Sequence, residues 1–417
     1  MPRRQAAALF GRTAGRFRLL MVPAARADVS VVGSTGDRLT AALFGYFVLV
    51  ISVITLSPFD FALPRQFHLS YAFVPRDVLP NIVMFVPVGF LWRGFTRAAR
   101  RPWWEPIAVA ATFSLLLESA QIFIRDRYVS PVDLAANTLG AVLGGMVRER
   151  LERRTAWQPA LIERLGLHLP LGGLIFLLIP QLWLSAAGVV HDRRRSVLTM
   201  LLGCGGSILL AALRRHRWKR ELPFGTASIL VLSLLWFTVG AFPALTGSPA
   251  AFAGLSLAMV LVMFWLLRAP GPIDRRRFEI ATLRRFVPVL ASYVLLAALW
   301  PPLRAIVAWH GAVTFGDRLN DAGVIEVLLL LEQVCGFTLL GYAAAEWRGR
   351  RELSLVDDLP AVTMLGAVFA VGLEVLQGRL AGPGASLVRP VLATGGAVYG
   401  VAVYHLARAH VRSLRGA

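Results

Sequence analysis

Lysine occurs once, at Lys219, in a chain of 417 residues with 44 basic side chains. Charge of either sign is scarce: 16% of residues carry one, against roughly a quarter in soluble domains. With 56% hydrophobic residues and a mean hydropathy of +0.62, that scarcity excludes an ordinary soluble enzyme. The two cysteines, Cys204 and Cys335, lie inside apolar runs, so neither a disulfide framework nor a metal site is expected. His68, His191, His310 and the other histidines lack ligand spacing, and no Walker loop, nucleophile elbow or HExxH occurs. No cofactor is implied.

What is present is a series of apolar runs, each long enough to cross a hydrocarbon core of about 30 Å. Windows of about 20 residues place membrane helices near 39–57, 78–96, 104–124, 131–148, 169–190, 196–213, 224–245, 250–268, 287–309, 322–345, 358–378 and 386–407. The expected fold class is all-α, a polytopic membrane protein of about twelve helices. The net charge of +20 sits in short loops such as WRGFTRAARRP, RERLERR, RRHRWKRE and EWRGRRE. That is a positive-inside pattern, which points to anionic membrane lipids as partners and away from nucleic acid. A cytoplasmic N-terminus puts these loops and the C-terminus on the inside; HDRRR at 191–195 is the exception. The segment before residue 37 has an apolar patch too short and too interrupted by Arg for a signal peptide, and reads as a disordered or interfacial tail. The Arg-for-Lys bias suggests a GC-rich bacterial genome.

An internal repeat organises the chain. ESAQIFIRDRYVSPVDLAANTLGAVLGG from Glu118 aligns without a gap on EVLQGRLAGPGASLVRPVLATGGAVYGV from Glu374, and NIVMFVPVGF from Asn81 lies over QVCGFTLLGY from Gln333. The expected division is a basic tail (1–36), a four-helix unit (37–150), a central four-helix segment (151–286), a degenerate second unit (287–410) and a basic tail (411–417). Corresponding helices are eight apart in chain order, an even step, so the repeats are parallel, unlike the inverted repeats of many transporters.

The second unit keeps the glycines and Glu-x-x-Gln, but Asp133 becomes Arg389, Asn137 becomes Ala393, Asp77 becomes Leu329 and Asn81 becomes Gln333. That loss points to binding or chemistry confined to the first unit. Glu118 and Gln121 share a helix face near the outer membrane surface, where Glu118 either joins a site or snorkels to headgroups. Ser130-Pro131 reads as an N-cap, and Asp133 stands where a capping-box acid would, so it either caps or binds. Pro87 and Gly89 are expected to interrupt the second helix, and Glu374 and Gln377 read as relics, with a second, altered site as the alternative. Asp77, Asn81, Glu118, Gln121, Arg127, Asp133 and Asn137, with Arg125 nearby, would form an outer-face polar cup. Arg suits phosphate or carboxylate, and acids beside amides suit a divalent cation or sugar hydroxyls.

TLSPFDF (Thr55–Phe61), D-x3-N-x5-P-x-G from Asp77 to Gly89, ESAQ with its Arg-containing loop, and SPVDLAANTLGAVLGG resemble the VanZ-like family of bacterial membrane proteins. The resemblance covers a quarter to a third of the chain. It implies a bacterial inner-membrane protein of the cell envelope, and supports the same seven residues as the site. The family takes its name from a member associated with resistance to the glycopeptide teicoplanin. The leading expectation is a cup that binds or modifies a lipid-linked phosphate or glycan carrier. A transporter or flippase, and an envelope scaffold, are the alternatives.

Overall fold

The computed structural model describes residues 29–57, 59–63, 70–71, 75–95, 102–125, 127, 129–156, 169–187, 192–214, 226–245, 249–268, 278–301, 305–309, 311–312, 324–349, 353–380 and 384–416. Of Asp77 it describes the backbone alone, and His68, His191 and His310 lie outside the described residues. The protein is all-α. The described residues form twelve helices: α1 (Val29–Leu56), α2 (Pro75–Trp92), α3 (Trp104–Gln121), α4 (Pro131–Ala156), α5 (Leu169–Ala187), α6 (Asp192–Leu213), α7 (Thr226–Leu245), α8 (Pro249–Arg268), α9 (Phe278–Leu299), α10 (Val324–Arg348), α11 (Leu355–Arg379) and α12 (Val388–Gly416). Six are long and apolar enough to cross a membrane by length and composition, and four more contain shorter apolar stretches.

Several boundaries depart from the expected windows, most of all in α1, α9 and α12. α1 begins at Val29 and α12 runs on to Gly416, so both continue through polar turns that a hydropathy window discards. α9 starts early, at Phe278, and stops before Trp300-Pro301, because proline lacks the N–H that would continue the ladder. The apolar residues beyond it had drawn the expected helix too far.

α5 is the axis of the molecule. Its residues from Gln181 to Ala186 are all buried, as a helix apolar on all sides must be. Trp183 anchors it, donating from Nε1 to the Val239 carbonyl at 2.9 Å and meeting Phe47 of α1 edge to face. Helices α1 and α12 join the two outer groups: Tyr46 stacks on Tyr399, whose hydroxyl donates to the Ala42 carbonyl at 2.6 Å.

The closest approach is backbone to backbone. α2 is one continuous helix with Pro80 and Pro87 inside it, so the expected interruption is absent. Gly89 serves contact instead: a Cβ there would lie 1.8 Å from the Ala141 carbonyl oxygen of α4. Gly140 and Gly144 face the Ile82 and Val86 carbonyls at 2.1 and 1.9 Å by the same measure. Between α10 and α12, Gly341 meets the Ala397 carbonyl at 2.1 Å, Gly396 that of Val334 at 2.4 Å and Gly400 that of Thr338 at 2.0 Å. These are the aligned positions of the repeat. Small residues let membrane helices close on van der Waals packing alone, where lipid supplies no hydrophobic drive.

Gly144→Ile and Gly400→Ile should each cost at least about 1–3 kcal/mol, the range for overpacked sites. The expected result is a clear fall in melting temperature in detergent. Gly172→Ala, where a Cβ meets nothing within 4 Å, should leave it unchanged.

Candidate ligand-binding site

The sequence-predicted residues gather where α1 and α3 end and α2 and α4 begin. After α1 the chain turns at Phe59, whose φ is +60°, and Phe61 pairs antiparallel with Ile124 in the α3–α4 loop. Ala62 N–H donates to the Phe123 carbonyl at 2.6 Å and Ser70 N–H to that of Val129 at 3.0 Å. Side chains tighten this closure. Gln121 Nε2 donates to the Thr55 carbonyl at 2.9 Å, and Arg127 Nη2 to the Ser57 carbonyl at 2.7 Å.

Glu118 does not snorkel. It is 4% exposed, and its Oε2 accepts the backbone N–H of Ser130 at 2.9 Å. Ser130 in turn caps α4, its Oγ accepting the Asp133 N–H at 3.2 Å. In a capping box the acid three residues into the helix reaches back to the N-cap N–H. Here a carboxylate from α3 takes that N–H.

The same bonds recur at the aligned positions. Glu374 accepts the Ser386 N–H at 2.8 Å, Gln377 donates to the Ala298 carbonyl at 2.7 Å, and Ile306 pairs with Leu380. Glu374 and Gln377 are therefore working parts of the closure, not relics, and a second contact supports it: β1 (Gly311–Ala312) runs parallel to β2 (Ala385–Ser386).

Subtracting one unit from the other leaves what packing does not require. Asp133 has Arg389 in its place, with Nε 3.1 Å from Glu374 Oε1. The charged side chains that bear on Glu118 are instead Asp133 and Arg127. Asn137 donates to Ser114 Oγ at 2.9 Å, while its own Oδ1 is buried without a hydrogen-bond partner among the described residues. The counterparts of that pair are Ala393 and Ala370, both fully buried. Asn81 is half-buried on α2, and Arg127 is exposed on its loop. Arg125 reaches Asp60 at 3.8 Å, both exposed. The cup is thus shallower than expected: Glu118 and Gln121 serve the framework, and Asn137 lies a turn below the cap.

Residues 41–152 match the VanZ/LLP1 family model. No curated protein and no solved structure matches the chain. The VanZ-like segment contains all seven predicted site residues.

One polar cluster lies outside the VanZ-like segment and was not anticipated. Glu332 of α10, 2% exposed, pairs with Arg194 of α6, 3% exposed, at 2.5 Å. Glu332 Oε1 also accepts from Ser185 Oγ at 2.8 Å and Tyr293 Oη at 3.0 Å. Gln181 donates to the Glu332 carbonyl at 2.8 Å and to Tyr293. Arg194 reaches the Ala297 carbonyl at 3.1 Å, next to the Ala298 carbonyl that Gln377 holds. Two signals in the sequence pointed here: a basic run, HDRRR, that broke the charge pattern, and a lone Glu in LLLLEQ.

An uncompensated charge in this interior is costly. Arg194→Ala and Glu332→Ala should each lose about 3–5 kcal/mol, and the double replacement Arg194→Met with Glu332→Leu should recover most of it. Melting temperatures of the three variants check this.

Proposed function

We propose that this protein binds the polar head of a lipid-linked cell-envelope molecule, bearing phosphate or sugar, at the end of the VanZ-like segment that carries Arg127, Asp133 and Asn137. We take that end to face outward from a bacterial inner membrane with both termini cytoplasmic, because the basic loops then fall on the inner side. The observation that carries the reading is the substitution at one position of the repeat. The second unit keeps the bonds that close its helix ends, yet Arg389 sits on Glu374 where the first unit has Asp133. In the second unit an ion pair occupies this position; in the first, Asp133 stands there, near the exposed Arg127.

The roles follow from the groups. Arg127 offers a planar fork of donors suited to phosphate oxygens. Asp133, Asn137 and Asn81, with Asp77 on the same helix as Asn81, supply acceptors and amides suited to hydroxyls. The acceptor left over on Asn137 is a natural partner for a ligand donor. A link to glycopeptide resistance, as in the member that gives the VanZ family its name, would run through this ligand. The transporter alternative gains one observation, the Arg194–Glu332 pair, since ionisable groups within membrane helices often mark transport paths.

Native mass spectrometry of gently extracted protein tests the reading. Wild type should retain a phosphate-bearing lipid that Arg127→Ala/Asp133→Ala loses by at least about tenfold, at unchanged yield and melting temperature. Undiminished retention in the variant, or matching losses of folded protein in the two single variants, would assign these residues to stability alone. Substrate flux into proteoliposomes that depends on Glu332 would favour transport.

A further inference from the structure

α3 has two unlike faces. Glu118 and Gln121 point inward to the helix closure. Val109, Thr112, Leu116 and Ala120 follow one another at intervals of three or four and so form one stripe on the helix, which Phe123 extends in the turn just past Gln121. Two hollows lie on that stripe. One, of about 560 Å³, is bounded by Phe44 and Val48 of α1, Trp92 of α2, and Val109, Thr112 and Leu116 of α3. The other, of about 550 Å³, is bounded by Phe61, Leu63, Ala120 and Phe123. On the stripe their nearest lining residues, Leu116 and Ala120, are one helical turn apart. Both hollows are lined mainly by apolar groups, and Leu116 is 64% exposed.

We propose that this stripe seats a single long hydrocarbon chain of the polyprenyl class, with its head at the Arg127–Asp133 site. The placement of the head rests on the reading above; the chain seat does not. Length argues for the class of chain. The helical part of the stripe, Val109 to Ala120, runs about 17 Å at 1.5 Å per residue, and Phe123 continues it in the turn beyond Gln121. Half a hydrocarbon core of about 30 Å is about 15 Å. A chain that follows the whole stripe therefore passes the bilayer midplane, which an acyl chain confined to one leaflet does not do. Position argues for the link to the head: Phe123 ends the stripe, and Arg125 and Arg127 follow on the same loop. The walls are aromatic and aliphatic, so they suit hydrocarbon.

The second unit supplies the control. The aligned stripe on α11 is Leu365, Val368, Gly372, Leu376 and Arg379, which is also exposed over much of its length but ends in a cation. A surface that merely wets with bulk lipid would treat the two stripes alike.

The test uses the full chain in nanodiscs, with geranyl and undecaprenyl monophosphate as probes, and Ala120→Trp and Thr112→Trp to fill the hollows. Wild type should bind the long probe at least about tenfold more tightly than the short one, and both Trp variants should lose that gain at unchanged melting temperature. A gain that persists in both Trp variants overturns the chain seat. In parallel, a diazirine-bearing polyprenyl alcohol, which has no phosphate, should cross-link between Thr112 and Phe123 in preference to Leu365–Leu376. Equal labelling of the two stripes also overturns it. Preferential labelling of α3 by the alcohol, with neither phosphate bound, would keep the chain seat and remove the proposed head site.

Discussion

The backbone contact between α2 and α4, and its counterpart between α10 and α12, is the constraint on which the rest of the structure depends. Three glycines in each pair set carbonyl oxygens where a Cβ would stand. Helices this close share one rigid body, so their ends are held in register. The short segments that follow α1 and α3 can then pair across the gap, and the cap of α4 comes within reach of Glu118. Lipid gives no hydrophobic incentive for such closeness, and only the absence of side chains permits it.

That rigid frame sorts the polar residues into three kinds. Glu118 and Gln121, like Glu374 and Gln377, satisfy backbone groups at helix ends, which membrane burial would otherwise leave costly. Arg194 and Glu332 compensate each other at the junction of the central helices with α10, and two hydroxyls complete the shell of the carboxylate. At the opposite end of α11, Asp358 is pinned in the same manner by Arg348 at 2.5 Å and His405 at 3.2 Å. Asp133 and Asn137 belong to neither kind, because the aligned positions do without them, and Arg127, which also donates to the Ser57 carbonyl, has no basic counterpart in the second unit. The two copies share the supporting bonds and differ at these positions, which is where the proposed recognition is placed.

The proposed ligand follows from the two faces of α3. One face is committed to framework hydrogen bonds and the other to hydrocarbon, and the loop beyond carries the cations. An amphiphile has the same division, head beside chain. The central helices contribute a core around α5 and brace the second unit through Glu332, so the VanZ-like segment is supported by the rest of the chain through α1, α5 and α12.

The fold class was legible in the sequence, and so was the repeat. Apolar runs of membrane length report helices whatever packs around them, and glycines at fixed spacing report close contact because no other residue permits it. The candidate residues were legible as a group, since Glu118, Gln121, Arg127, Asp133 and Asn137 are near one another along the chain. What each of them does was not. A carboxylate that snorkels, one that binds and one that caps a distant helix have the same local sequence, and only the position of the Ser130 N–H decided that Glu118 is the third. The Arg194–Glu332 pair was hidden for the same reason. Its members are 138 residues apart, and a charge is explained only by the group that faces it. The sequence by itself determined the periodicities, which are local properties of the chain; the tertiary structure decided the partners, because those are set by distance in space.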